Sequence, residues 1–203
     1  MKLYAYVMTD DSGTAPCVDK GVFTLACCKP NIRRCAKEKD WIVGLAGEKL
    51  KQTSGIDNVG KIVFVAEVTR KLSWADYGKR EEFEGRLDNM YYLDEQSNEF
   101  KRKMDVKQLH DNMQKDVEND VLISDHGNFQ YFGRNAISCP KGFETIISER
   151  IRNGKGQQNH KVYPNEKYPL DYTMRFVDSL KMSKSYTQGA PHSGFNKGHS
   201  CQC

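Results

Sequence analysis

The sequence predicts an α+β fold: a bent, mostly antiparallel sheet or a small barrel, with flanking helices. Three observations carry that expectation. Short alternating runs outnumber helical patterns, and they do not recur with the spacing of βαβ units. The two clearest strands, DWIVGL over Asp40–Leu45 and KIVFVAEVT over Lys61–Thr69, are joined by a polar, glycine-bearing loop, EKLKQTSGIDNVG.

The elements follow in chain order. In residues 1–8, Leu3, Ala5 and Val7 alternate with Tyr4 and Tyr6, which is a strand pattern. Asp10-Asp11-Ser12-Gly13 reads as a turn. Val22–Ala26 is a second β-rich run, and Pro30 opens a short helix because proline suits the first helical position. Ile32, Cys35 and Ala36 then give that helix one buried face, with Arg33, Arg34 and Lys37 off the stripe. After the two clear strands, residues from Ser73 to about Asp120 form a charged insertion with scattered aromatics, read as short helices and loops over the sheet. Val121–Ser124 and Phe129–Phe132 are strands around the turn Asp125-His126-Gly127-Asn128. Pro140–Asn153 and Tyr172–Leu180 carry helical patterns. The domain is expected to span residues 1–180, with the insertion at about 73–120, and a mobile Cys/His-bearing tail is expected over 181–203.

Composition narrows the class. The chain has 203 residues, 38% hydrophobic and 29% charged, enough to bury a core without disulfide staples. Its net charge of +4 is too weak a bias to argue for nucleic acid alone. No apolar run reaches the length of a membrane span. The opening MKLYAYVMTD reads as a strand rather than a signal peptide, so a cytoplasmic location is expected. Seven cysteines without a disulfide-framework spacing read as reduced thiols.

The chemistry-bearing residues fall into a few groups. Cys27, Cys28 and Cys35 lack the CxxC-type spacing of zinc ligands. Cys201 and Cys203, with His192 and His199, read either as a tail clip for zinc or as an unstructured end; no metal and no cofactor are assigned. Cys28, beside Lys29 at a helix start, is a candidate nucleophile. Lys29 and Arg33 at the helix opened by Pro30 suggest an anion corner, against the alternative of a solvated helix face. Asp88 and Asn89 beside Tyr91 pair edge readers with a ring, as a nucleobase pocket requires. Ser124, Tyr131 and Gly133 in SDHGNFQYFG make a similar block, and the two blocks are expected to meet beside the Lys29 helix. Asp125 and His126 are candidate acid–base groups, but Ser124, Asp125 and His126 are consecutive and cannot converge as a triad. GxGxxG, P-loop, HExxH and nucleophile-elbow motifs do not occur.

The ordered blocks MKLYAYV, GVFTLACCKPNIRR, DWIVGLAG, GKIVFVAEVTRKLSWADY, DNMYYLDE and DVLISDHGNFQYFG with NAISCP cover most of residues 1–140. Together they resemble the nucleotide-modification-associated domain family of the second type, which occurs in phages and bacteria, often near predicted DNA-base modification genes. The DWIVGLAG and GKIVFVAEVT pair is also similar to a strand pair of PUA-like barrels of the EVE, ASCH and YTH kind, which include modified-base readers. These resemblances imply binding of a nucleobase or nucleotide, free or as a modified base in DNA, in a phage DNA-modification or host-defence setting. The expected ligand-binding residues are Lys29, Arg33, Asp88, Asn89, Tyr91, Ser124, Tyr131 and Gly133. Two alternatives stay open. One is an enzyme modifying a nucleotide or DNA base through Cys28, Asp125 or His126. The other is a protein–protein inhibitor of a host enzyme.

Overall fold

The computed structural model describes residues 1–103, 113–147, 160–181 and 189–192. In chain order its strands are β1 (Leu3–Met8), β2 (Cys17–Asp19), β3 (Val22–Leu25), β4 (Trp41–Ala46), β5 (Ile62–Glu67) and β6 (Arg70–Leu72). They continue as β7 (Tyr91–Asp94), β8 (Glu99–Arg102), β9 (Val121–Ser124), β10 (Phe129–Tyr131) and β11 (Lys161–Tyr163). The helices are α1 (Pro30–Cys35), α2 (Glu48–Ser54), α3 (Trp74–Lys79), α4 (Met113–Val117) and α5 (Leu170–Lys181).

Two sheets stack face to face, and a separate hairpin joins them. The larger sheet runs β10-β5-β4-β1-β11, the smaller runs β2-β3-β9-β6, and β7 pairs with β8. Strands β1 and β4 are parallel; the other strand pairs are antiparallel. The fold is therefore α+β and mostly antiparallel, as its sequence predicts. The barrel alternative is corrected: neither sheet closes among the described residues. Closure of the larger sheet would require β10 to pair with β11, yet the edge at Tyr131 instead receives the Gly189 N–H.

Side-chain alternation sorts three apolar layers. Tyr4, Tyr6 and Met8 of β1 join Ile42, Phe64, Phe129 and Tyr131, and across the layer they meet Phe23, Leu25 and Leu122 of the smaller sheet. On the far side of the larger sheet, Leu3, Trp41, Val43 and Leu45 pack beneath Phe176, Val177 and Leu180 of α5. On the outer side of the smaller sheet, Val121 and Ile123 are covered by Trp74, Tyr77, Phe83, Met90 and Tyr91 of the insertion. Gly44 leaves room for side chains of its neighbouring strands in the inter-sheet layer. A Cβ there would collide with the Phe64 ring and the Met8 sulfur. The register between β4 and β5 shifts at that point: Gly44 pairs with Phe64 but Leu45 pairs with Ile62. The extra residue, Val63, joins Phe64 in the inter-sheet core.

Several elements differ from the sequence reading. The polar loop after β4 contains α2, which buries Leu50 between the glycines Gly47 and Gly55 at its two ends. The insertion holds a true hairpin, β7–β8, rather than helices and loops alone. Its turn is set by Asp94, whose Oδ1 accepts from the N–H groups of Gln96 and Ser97. Residues 144–147 are helical, Pro140–Phe143 form a turn instead, and residues 148–153 of the expected helix lie outside the described residues. Of the expected tail, residues 189–192 are described. There His192 is buried and Gly189 hydrogen bonds to the core strand β10; Cys201, Cys203 and His199 lie outside the described residues.

Candidate functional site

The structure separates the two aromatic–polar blocks. Asp88 is fully buried against the outer side of the smaller sheet. Its carboxylate accepts from the Tyr77 hydroxyl at 2.8 Å and from the Thr24 hydroxyl, and it faces Arg86 Nε at 3.4 Å. Arg86 in turn donates to the carbonyls of Asp19, Cys17 and Val22, which fastens the insertion to the β2–β3 hairpin. Burial pushes the Tyr77 hydroxyl pKa far up, and the Asp88 charge adds to it. Asn89 donates to the Phe83 carbonyl, and its Oδ1 is buried with no hydrogen-bond partner among the described residues. The Tyr91 ring packs 4.9 Å from Trp74 and is not open to a stacking base. Tyr131, by contrast, lies in the inter-sheet layer. The Asp88–Tyr91 block and Tyr131 thus occupy opposite faces of the smaller sheet.

Helix α1 also differs from its pattern. Cys35 is exposed, whereas Arg33 is wholly buried beside Ile32. The physical reason is a cluster of carbonyl oxygens at the end of α4. Arg33 Nε donates to Asp120 O at 3.0 Å, and Nη2 donates to the carbonyls of Asp116 and Asn119. Nη1 reaches Asp116 Oδ1 at 3.3 Å. Burial lowers the Arg33 pKa, and the Asp116 charge opposes that. Asp116 also accepts from the Cys28 N–H at 3.0 Å and from the Tyr91 hydroxyl. Arg33 is accordingly an internal clamp in this structure. Cys28 is buried and disulfide-bonded, so the all-thiol expectation does not extend to it, and a bonded sulfur is not a thiolate nucleophile. Lys29 caps α1 in the left-handed conformation, with its ammonium 4.9 Å over the Tyr6 ring.

Asp125 and His126 sit at the β9–β10 turn. Asp125 accepts from Arg70 at 2.6 Å and from the Thr69 hydroxyl at 2.8 Å. Burial alone would raise its pKa, but the hydrogen bonds from Arg70 and Thr69 bring it below the usual carboxylate range. His126 is exposed and lies beside Gly21. Ser124 is buried, and its hydroxyl has no hydrogen-bond partner among the described residues.

The richest polar constellation lies at the Tyr131 end of the inter-sheet layer. Asp11, 1% exposed, accepts the Tyr131 hydroxyl at Oδ1 at 2.7 Å. Its Oδ2 receives His192 Nδ1 at 2.7 Å and the His192 backbone N–H at 3.1 Å. The other ring nitrogen, His192 Nε2, lies 3.0 Å from Asn58 Nδ2. Asn58 also donates to Arg134 O, and its Oδ1 accepts from Lys61 Nζ, which fixes the orientation of the amide. The amide is therefore the donor, Nε2 accepts, and the imidazole proton sits on Nδ1. Burial raises the Tyr131 pKa strongly; Asp11 is the next cause, and Tyr6 contributes. Gly133 adopts φ +54°, and a Cβ there would collide with the Ala190 carbonyl. Tyr131 and Gly133 therefore belong to this end through Asp11 and Ala190, and Lys29 reaches the same inter-sheet layer over Tyr6. In the sequence Asp11 reads as a turn residue, Asn58 as loop and His192 as tail. The acidic turn directly after β1 was the available signal.

Among the described residues, no group of three or more His, Cys, Asp or Glu side chains is placed to hold a metal ion. No helix among them is long and apolar enough to cross a membrane. A family model described as nucleotide modification associated domain 2 matches residues 1–197, a span that includes the docked segment 189–192. No curated protein and no solved structure matches the chain.

Proposed function

The chain belongs to the nucleotide modification associated domain 2 family, and on that premise we propose that it binds a nucleobase or nucleotide, free or in modified DNA, at the Tyr131 end of the inter-sheet layer. One observation carries the reading. The Lys29 ammonium stands 4.9 Å over the Tyr6 ring, and Tyr6 shares the inter-sheet layer with Tyr131, whose hydroxyl donates to Asp11. A cation for a phosphate and a hydrogen-bonding edge occur together there, framed by the Tyr6 and Tyr131 rings, which are as buried as Tyr91 and serve as walls rather than stacking faces. The Asp88, Asn89 and Tyr91 block supports the reading less, because the cation beside it, Arg86, is buried and committed to backbone carbonyls. A catalytic role for Cys28 or Asp125 has less support still: the sulfur of Cys28 is bonded and Asp125 is ion-paired.

The test is calorimetric titration with the four deoxynucleoside 5′-monophosphates and with a short DNA duplex. Lys29→Ala should weaken binding about tenfold, the scale of one charge-assisted hydrogen bond. Affinity unchanged by that substitution would overturn the assignment of the site.

A further inference from the structure

We propose that the exposed side of α1 and the turn after it, from Lys29 to Lys39, is a track for the phosphate backbone of duplex DNA. The nucleotide then reaches its site as part of a polynucleotide. This rests on the nucleotide-binding reading above and names the substrate class of that site.

The net charge of +4 is spread unevenly over the chain. Between Lys29 and Asp40 the exposed positions are Asn31, Arg34, Cys35, Lys37, Glu38 and Lys39, three cations against one acid with no large apolar side chain. The second acid of the turn, Asp40, is buried and its carboxylate is turned inward. Its Oδ1 accepts from the Lys2 N–H at 2.7 Å and its Oδ2 from the Lys37 N–H at 3.0 Å. Asp40 thus draws two exposed lysines together by their backbone. The Lys39 N–H donates to Val68 O at 2.8 Å. Lys71 Nζ, whose charge is offset by Asp120 at 3.6 Å, donates to the carbonyls of Arg34 and Ala36. The main chain under the track is therefore fastened to the rest of the fold, while Arg34, Lys37 and Lys39 stay at the surface.

Pairing sets this surface apart. Among the described residues, the charged groups of Lys2, Arg34, Lys37 and Lys39 face no carboxylate at ion-pair distance, and Arg34 donates to the Asn31 side-chain oxygen. Other surface cations are neutralised in place: Lys51 by Asp57, Lys79 by Glu95, Lys101 by Asp94 and Arg175 by Asp171. A mononucleotide brings its charge to one point, which Lys29 meets. Cations that continue along a six-residue helix, about 9 Å long, match a charge that repeats. Each strand of a duplex presents one about every 3.4 Å. A membrane surface fits less well, because an interfacial helix enters it by an apolar face and the exposed positions here have none.

The test uses the full chain, a short DNA duplex over a range of salt concentrations, and the four deoxynucleoside 5′-monophosphates. The contact is to the backbone, so an unmodified duplex suffices. The triple variant Arg34→Gln, Lys37→Gln, Lys39→Gln should weaken duplex binding and reduce the slope of log K against log salt by about 2–3, the share of three phosphate contacts. Its mononucleotide affinity should be unchanged. Glutamine keeps the N–H groups by which Lys37 and Lys39 are held, so the fold is retained. A control triple variant, Lys51→Gln, Lys79→Gln, Lys101→Gln, removes the same charge from paired positions and should change the slope by less than about 1. Equal losses in the two variants would overturn the track, since net charge alone would then account for the binding. A wild-type chain that binds mononucleotides but not the duplex would also overturn it and leave the nucleotide-binding reading standing. Binding of neither would overturn both. Vesicles of equal parts phosphatidylglycerol and phosphatidylcholine should not bind. Vesicle binding that is lost in the first triple variant, with duplex binding unaffected, would assign the surface to a membrane and overturn the track.

Discussion

Arg33 commits its guanidinium to the carbonyl oxygens of Asp116, Asn119 and Asp120 and to the Asp116 carboxylate, all within the protein. Removing one partner of such a buried pair leaves a charge and several carbonyls unsatisfied. Arg33→Ala should therefore cost about 3–5 kcal/mol, read as a lowered urea midpoint. Asp125 is a milder case, because its pair with Arg70 is half-open to water. Its folded pKa lies below the unfolded value of about 3.9. The stabilisation it provides is thus present above about pH 4 and disappears as pH falls through the folded pKa. Asp125→Asn should cost about 1 kcal/mol or less at pH 7. Denaturant melts of the two proteins should converge as pH falls through the folded pKa, and a gap that does not narrow with falling pH would show a different cause.

At the scale of elements, the segment at 189–192 depends on two glycines facing each other. A Cβ on Gly189 would strike the Phe132 carbonyl, and one on Gly133 would strike the Ala190 carbonyl. Gly189→Ala should unseat the segment at a cost of about 1–3 kcal/mol, the range for forced overpacking. Faster hydrogen exchange at the Arg134 amide, with the protection of β4 and β5 retained, is the expected signature. Strands β4 and β5 were legible in the sequence because Trp41–Ala46 and Ile62–Glu67 are apolar along their length. Strands β7 and β8 were not, since Tyr91-Tyr92-Leu93-Asp94 and Glu99-Phe100-Lys101-Arg102 mix charge with aromatics and are largely solvent-facing. Arg33 misled because a helix of six residues has too few positions for a pattern to say which face is buried. The Asp11–His192 contact joins residues 181 positions apart, a separation that local spacing rules do not reach.

For the whole molecule, the junction between the sheets is Phe23. Its ring lies 4.8 Å from Phe64 and 5.7 Å from Phe129, so one side chain of the smaller sheet grips two strands of the larger. Phe23→Ala should cost about 3–5 kcal/mol. Tryptophan fluorescence, reporting Trp41 in the α5 layer and Trp74 in the insertion layer, should still show one coincident transition if the three layers unfold together. The order of the larger sheet also bears on how the protein is made. Strand β1 is flanked by β4 on one side and β11 on the other. During translation β4 emerges early, but Lys161–Tyr163 follows more than a hundred residues later. At about 5–20 residues per second the second edge of β1 waits on the order of ten seconds for its partner. Through that interval a strand reading Leu-Tyr-Ala-Tyr-Val-Met has an unpaired edge on the ribosome, a ready template for another nascent chain. Slowed elongation before residue 161 should therefore increase co-translational aggregation, and a charged residue on that edge of β1 should reduce it.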